Sequence, residues 1–244
     1  MIFTLLLEID ILRSKVEKVR MEVRIEHGVD GAKIAASRDD AVIIVDTIRA
    51  STTYVNAFAS GAKRIVPCSS REHLSEKFNQ YPDSLKSGER LCKKIVGYDL
   101  GSSPVEMSKT DLSGKVLLSS TTNGSRMVVA CKDSPIAVMG SFCNSSSVVS
   151  FLREKNMDVS IICSGRLGEE VIEDNLCAEY FKHLFDTPNE KFRLTDDKIA
   201  DACLSSPSYK MLAGAGLEGD FVKCMSIDSH DIVPVLDNDG FILL

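Results

Sequence analysis

The feature that most constrains this chain is the continuous apolar run Ala41-Val42-Ile43-Ile44-Val45, which ends directly on a carboxylate at Asp46. A strand of alternating polarity keeps one wet face; a run like this one must be covered on both. That is the environment of a parallel sheet sandwiched between helices. Ser51–Ser60 then reads as a helix ending at Gly61, and Arg64–Cys68 as a second strand. The pattern returns with a strand at Lys115–Ser119, a Thr/Asn/Gly turn, a helix near Ser125–Cys131 and a strand at Ile136–Met139. Both stretches carry Thr-Thr just past the first strand, as an internal duplication or two independent βαβ units would. A third unit follows, with a helix at Val148–Glu154, a buried strand at Val159–Cys163 and a helix at Ile172–Phe185. Thr195 is placed to cap a helix through Cys203, and another short helix falls between Pro207 and Gly219. Further strands are expected at Glu22–Glu26, Phe221–Ser226, Ile232–Leu236 and Phe241–Leu244. The alternation predicts an α/β protein, a three-layer αβα sandwich around a mostly parallel sheet.

The chain's 244 residues suffice for one large core or two closely packed lobes, and no Pro/Ser-rich linker divides them. A formal charge of −6 argues against a general nucleic-acid or anionic-membrane binder. An acidic protein that handles an anionic ligand must concentrate positive charge locally, in a few arginines or a bound cation. The eight cysteines form no CxxC and none is paired with His at zinc-site spacing. They read as reduced core residues in a cytoplasmic protein. Met1–Leu12 is apolar but interrupted by Glu8 and Asp10, too short to span a bilayer, and followed by the basic run Arg13–Arg20. Residues 1–20 are therefore expected to be an extension, with the folded domain at 21–244.

In open α/β sheets ligands bind beyond the carboxyl ends of the strands, and four polar clusters fall there. Asp46-Thr47-Ile48-Arg49-Ala50-Ser51-Thr52-Thr53 offers a carboxylate, a guanidinium and three hydroxyls where a helix begins, which suits a phosphate or a cation. Taken alone it reads first as an Asp turn followed by a Ser/Thr helix cap. Gly88-Glu89-Arg90 with Gly97-Tyr98-Asp99-Leu100-Gly101-Ser102-Ser103-Pro104 can bring backbone amides to a ligand, or be a surface loop. Thr121-Thr122-Asn123-Gly124 can be plain turn chemistry. Glu173-Asp174, after Cys163-Ser164-Gly165-Arg166, can simply complement a helix dipole. No GxxxxGK[ST], GxGxxG or HCx₅R motif is present, which argues against a nucleotide-using enzyme or a cysteine phosphatase.

In order along the chain, DTIRASTT, GER, GYDLGSSP, TTNG, GSFCN, the Glu173-Asp174 pair with Cys177-Ala178, and DFVKC resemble the 2-phosphosulfolactate phosphatase (ComB) family from about Met21 to the C-terminus. The resemblance implies an α/β fold, Mg²⁺ dependence, and hydrolysis of 2-phospho-3-sulfolactate to 3-sulfolactate and phosphate in coenzyme M biosynthesis. Carried over by motif, the functional positions are Asp46, Arg49, Ser51, Thr52, Thr53, Glu89, Arg90, Asp99, Thr122, Asn123, Glu173 and Asp174. On that basis Asp46, Glu89 and one of Glu173 or Asp174 are expected to hold Mg²⁺, with Asp46 alternatively a nucleophile. Arg49, the hydroxyls at 51–53, Thr122 and Asn123 are expected to hold the phosphoryl group, and Arg90 the substrate's carboxylate or sulfonate. Two residues depart from the family pattern: Ser102 stands for the asparagine of GNSP, and Glu179 for a glycine after Cys-Ala. Both bear on the substrate, so another phosphorylated 2-hydroxy acid, or a phosphoester sensor without turnover, stays open. The expected partner is a small phosphate ester, with neither nucleic acid nor membrane; a homodimer is also left open.

Overall fold

The computed structural model describes residues 21–120 and 124–244. The expected extension at 1–20, and Thr122 and Asn123, lie outside the described residues. Along the chain run β1 (Val23–His27), α1 (Gly28–Ser37), β2 (Ala41–Val45), α2 (Ala50–Ala59), β3 (Arg64–Pro67), α3 (Arg71–Gln80), β4 (Leu85–Arg90) and β5 (Lys93–Lys94). They are followed by α4 (Pro104–Lys109), β6 (Val116–Ser120), α5 (Gly124–Cys131), β7 (Ala137–Gly140), α6 (Ser145–Lys155) and β8 (Val159–Cys163). The chain closes with α7 (Ile172–Asp186), α8 (Asp196–Cys203), α9 (Pro207–Gly214), α10 (Glu218–Cys224), β9 (Val235–Leu236) and β10 (Phe241–Ile242).

The strand order is β1-β8-β2-β7-β9-β10-β3-β6-β4-β5. The sets β1-β8-β2-β7 and β3-β6-β4 are each parallel, and the short antiparallel β9–β10 pair joins them. The β2 run behaves as its composition requires. All five residues are fully buried; Ile43 and Val45 pack into one core and Val42 and Ile44 into the other. Helices α6 to α10 cover the first core, and α1, α2, α4 and α5 the second, which gives the three-layer αβα sandwich. Gly140 ends β7 where an added Cβ would lie 2.5 Å from Ile43 and 2.8 Å from the Phe181 ring, so only glycine fits between sheet and α7.

The expected strand at Phe221–Ser226 is instead helix α10. Its buried Asp220, Phe221 and Cys224 recur at helical spacing, and Val222 between them is exposed. The late strands shorten to Val235–Leu236 and Phe241–Ile242. Sequence reading also passed over α1, α3 and β4. Helix α3 buries only Leu74 and is started by Ser70, whose hydroxyl accepts from the His73 N–H. Strand β4 is too polar to announce itself, and finds its ladder only beside β6. Among the described residues, no helix is long and apolar enough to cross a membrane.

Candidate active site

Because the strands within each set are parallel, the carboxyl ends of each set deliver side chains to one edge of that set. The three antiparallel steps through β9 and β10 reverse the second set relative to the first. Asp46 follows β2 and is welded to the start of α2. Its N–H donates to the Ser51 hydroxyl at 2.9 Å, its carbonyl accepts the Ser51 N–H at 2.9 Å, and Oδ1 accepts the Ala50 N–H at 3.2 Å. Burial pushes the Asp46 carboxyl up to about 6, and the nearby Glu89 and Glu173 charges push the same way, against the Ala50 N–H and Arg49.

Asp174 arrives from the far face. The buried stripe of α7 runs through 173, 174, 177, 178, 181 and 185, so its first two members lie under the sheet edge rather than in solvent. Asp174 Oδ1 accepts the Thr47 N–H at 2.8 Å and Oδ2 the Gly165 N–H at 3.0 Å, tying the exits of β2 and β8 together. Burial, and next the Asp46 charge, hold its carboxyl well above the usual carboxylate range. Glu173 is fully buried, and neither of its carboxylate oxygens has a hydrogen-bond partner among the described residues.

Positive charge faces these acids. Arg49, 7% exposed, donates from Nη1 to Asp220 Oδ2 at 2.6 Å, while its Nη2 lies 3.9 Å from Glu89 Oε2. Asp220 Oδ1 also accepts from the Ser103 hydroxyl at 2.5 Å and the Val105 N–H at 3.3 Å, so one carboxylate of α10 fixes Arg49 and the start of α4. Asp46, Arg49, Glu89, Ser102, Arg166 and Asp174 all line a cavity of about 140 Å³, room for a small molecule. The Ser102 hydroxyl there is buried and has no partner among the described residues.

Other expected residues lie elsewhere. The hydroxyls of Ser51, Thr52 and Thr53 do not line the cavity; they are spent inside the fold on Ile44 O, Thr47 O and Ser102 O. Their service is to brace α2 against the sheet. Arg90 is exposed and also stands outside the cavity lining, donating to Glu89 O and Ser120 O. Asp99 accepts the Lys86 N–H at 2.8 Å and shapes the loop beside β4. Sequence reading missed Asp220, although it opens the DFVKC stretch, because that stretch was read as a strand. The buried thiols are pushed up by burial, Cys143 to about 11 and Cys68 and Cys131 to about 12, and pocket-lining Cys92 is raised by the same cause. That is the reverse of what a thiolate nucleophile needs.

A pH effect follows from Asp46. Its folded pKa lies above the unfolded value near 3.9, so this group's stabilisation is fully present below pH ~4 and lost as pH rises through about 6. With divalent cations chelated, wild type should lose on the order of 2–3 kcal/mol relative to Asp46→Asn between pH 4 and 7. Urea denaturation of both proteins across that range checks it; parallel pH curves would refute it.

Fold and cavity define an α/β protein that gathers acids and an anchored arginine in a small cleft lined from the carboxyl ends of β2, β4 and β8. The family model for 2-phosphosulpholactate phosphatase matches residues 29–239. A probable 2-phosphosulfolactate phosphatase of Clostridium acetobutylicum is 29% identical over 231 residues, 89% of this chain and 98% of that protein. One from Thermotoga maritima is 32% identical over 213 residues, covering 82% and 91%. The chain belongs to the 2-phosphosulfolactate phosphatase family, whose named activity is that of a phosphoric monoester hydrolase.

Proposed function

We propose that the protein hydrolyses 2-phospho-3-sulfolactate to 3-sulfolactate and phosphate with the help of Mg²⁺, as a step towards coenzyme M. The observation that carries the reading is the buried acid pair, Asp46 and Asp174, set in one cleft with the anchored Arg49. Two carboxylates whose pKa values are raised first by burial and further by neighbouring acids are poorly satisfied by protein alone. Among the described residues no three His, Cys, Asp or Glu side chains are gathered as a complete metal cage. Mg²⁺ does not need one: it takes one or two carboxylates and completes its shell with water and substrate phosphate. Asp46 and Asp174 would hold it, with Glu89 of the same cavity lining placed to help through water, while Glu173 stands outside that lining. When bound, the cation would neutralise phosphoryl charge and stabilise the departing alkoxide.

The remaining work falls to the chain itself. Asp220 commits one side of the Arg49 fork, leaving other N–H groups to grip phosphoryl oxygens without a reorganisation cost at the moment of reaction. The Ser102 hydroxyl, without a partner among the described residues, is a further donor in the same cleft. The bond from the Ala50 N–H holds Asp46 by Oδ1 and leaves Oδ2 without a donor among the described residues. That oxygen can serve a cation or attack phosphorus, and trapping a phosphoenzyme in a single turnover separates the two.

The test is phosphate release from 2-phospho-3-sulfolactate by the purified protein. Activity should vanish with EDTA and return with Mg²⁺, and Ca²⁺ should support it poorly because it prefers looser, higher coordination. Full activity after rigorous chelation would overturn the metal's role, and no phosphate release under any condition would overturn the reaction.

A further inference from the structure

Among the described residues the cavity is lined by two cations, and they are not equivalent. Arg49 is held by Asp220 and lies 3.9 Å from Glu89, so most of its charge is already answered. Arg166 makes no ion pair with any carboxylate among the described residues; its guanidinium meets only the Met211 thioether of α9, a weak acceptor. It stands on the turn after β8, where Arg166 and Glu169 exchange backbone hydrogen bonds in both directions, so its Cα is fixed while the long side chain reaches the cleft. Asp46 and Asp174 share the lining with it, and their place is with a cation and the phosphoryl group. The other arginines near the strand ends do not compete: Arg90 and Arg126 are exposed and do not line the cavity.

We infer that Arg166 is the specificity-determining residue that receives the second acid group of the substrate, a carboxylate or sulfonate on the carbon skeleton next to the phosphate ester. The inference rests on the phosphatase reading for the phosphate half of the substrate. An unpaired guanidinium in a partly desolvated cleft lacks charged acceptors and gains them from a bound acid, through its bidentate fork. An ester with a neutral tail leaves it as it is in the free protein. Selectivity therefore comes from a residue that binds the substrate without touching the phosphorus.

The experiment has a kinetic arm and a binding arm. The first measures kcat and KM for phospholactate and glycerol 2-phosphate with wild type, Arg166→Ala and Arg166→Lys. Wild type should favour phospholactate by about tenfold or more. Arg166→Ala should abolish that preference through KM with kcat little changed, and Arg166→Lys should regain part of it. An equal loss on both esters, or a loss confined to kcat, would overturn the assignment. The second arm titrates 3-sulfolactate, which carries both acid groups but no phosphate, into wild type and Arg166→Ala by calorimetry. Affinity should fall about tenfold or more in the variant; equal affinity, or no binding to wild type, would overturn it. Because this arm needs no turnover, it separates a failure of the Arg166 assignment from a failure of the phosphatase reading. If wild type releases no phosphate from 2-phospho-3-sulfolactate but Arg166→Ala still binds 3-sulfolactate less tightly, the reaction is wrong and the acid subsite stands.

Discussion

Asp46→Asn should cost roughly 10³-fold in kcat while leaving the protein folded. The substitution keeps the shape and the Oδ1 bond from the Ala50 N–H, so the weld between β2 and α2 survives. It removes a charge that burial and two neighbouring acids already oppose, so thermal stability at neutral pH should stay level or rise. A rise in melting temperature coupled to a collapse in turnover is the signature of a charge kept for chemistry at the expense of stability. Steady-state kinetics and a thermal melt of the same preparation decide it. Turnover within tenfold of wild type would show that the Asp46 charge serves neither metal nor phosphorus.

The second large effect is expected at Asp220. Truncation to alanine strands the Arg49 guanidinium in a site where it is almost wholly buried, and frees Ser103 and the Val105 N–H as well. Breaking a buried pair by removing one partner costs about 3–5 kcal/mol. Activity should fall by about two orders of magnitude, because an arginine without its anchor no longer presents its fork in one orientation. Arg49→Lys should lose activity comparably while staying better folded, since an ammonium keeps the charge but cannot bridge Asp220 and an anion in one plane. The double variant Arg49→Met/Asp220→Leu provides the control. It should recover much of the stability lost in Asp220→Ala, since a matched apolar pair can replace a buried ion pair. It should recover none of the activity. If the double variant is as active as wild type, the pair is structural only.

Where these residues stand was legible in the sequence to different degrees, and the division follows the range of the interaction involved. The run Ala41–Val45 dictated a strand covered on both faces, and Asp46 at its end had to fall at the ligand edge of a parallel sheet, because a period and a chain direction are local properties. The alternation of strands and helices gave the layered class for the same reason. The order of motifs along the chain carried the family, since each motif is a few adjacent residues. Burial of Glu173 and Asp174 was not legible: two acids in a first turn look alike whether the helix points that turn at solvent or under a sheet edge. Only the packing of α7 against β1, β2 and β8 chose the latter. Nor could the sequence show that Thr52 and Thr53 face inward, since a hydroxyl at a helix start serves a ligand or a neighbouring carbonyl equally well. The clearest tertiary decision concerns Arg49. Its partners, Asp220 and Glu89, lie 171 and 40 residues away in the chain. In the sheet, β7, β9, β10, β3 and β6 separate the strand before Arg49 from the one that carries Glu89. Propensity and pattern act over a few residues, whereas an ion pair acts through space. The sequence therefore chose the groups, and the closure of the fold chose which of them meet.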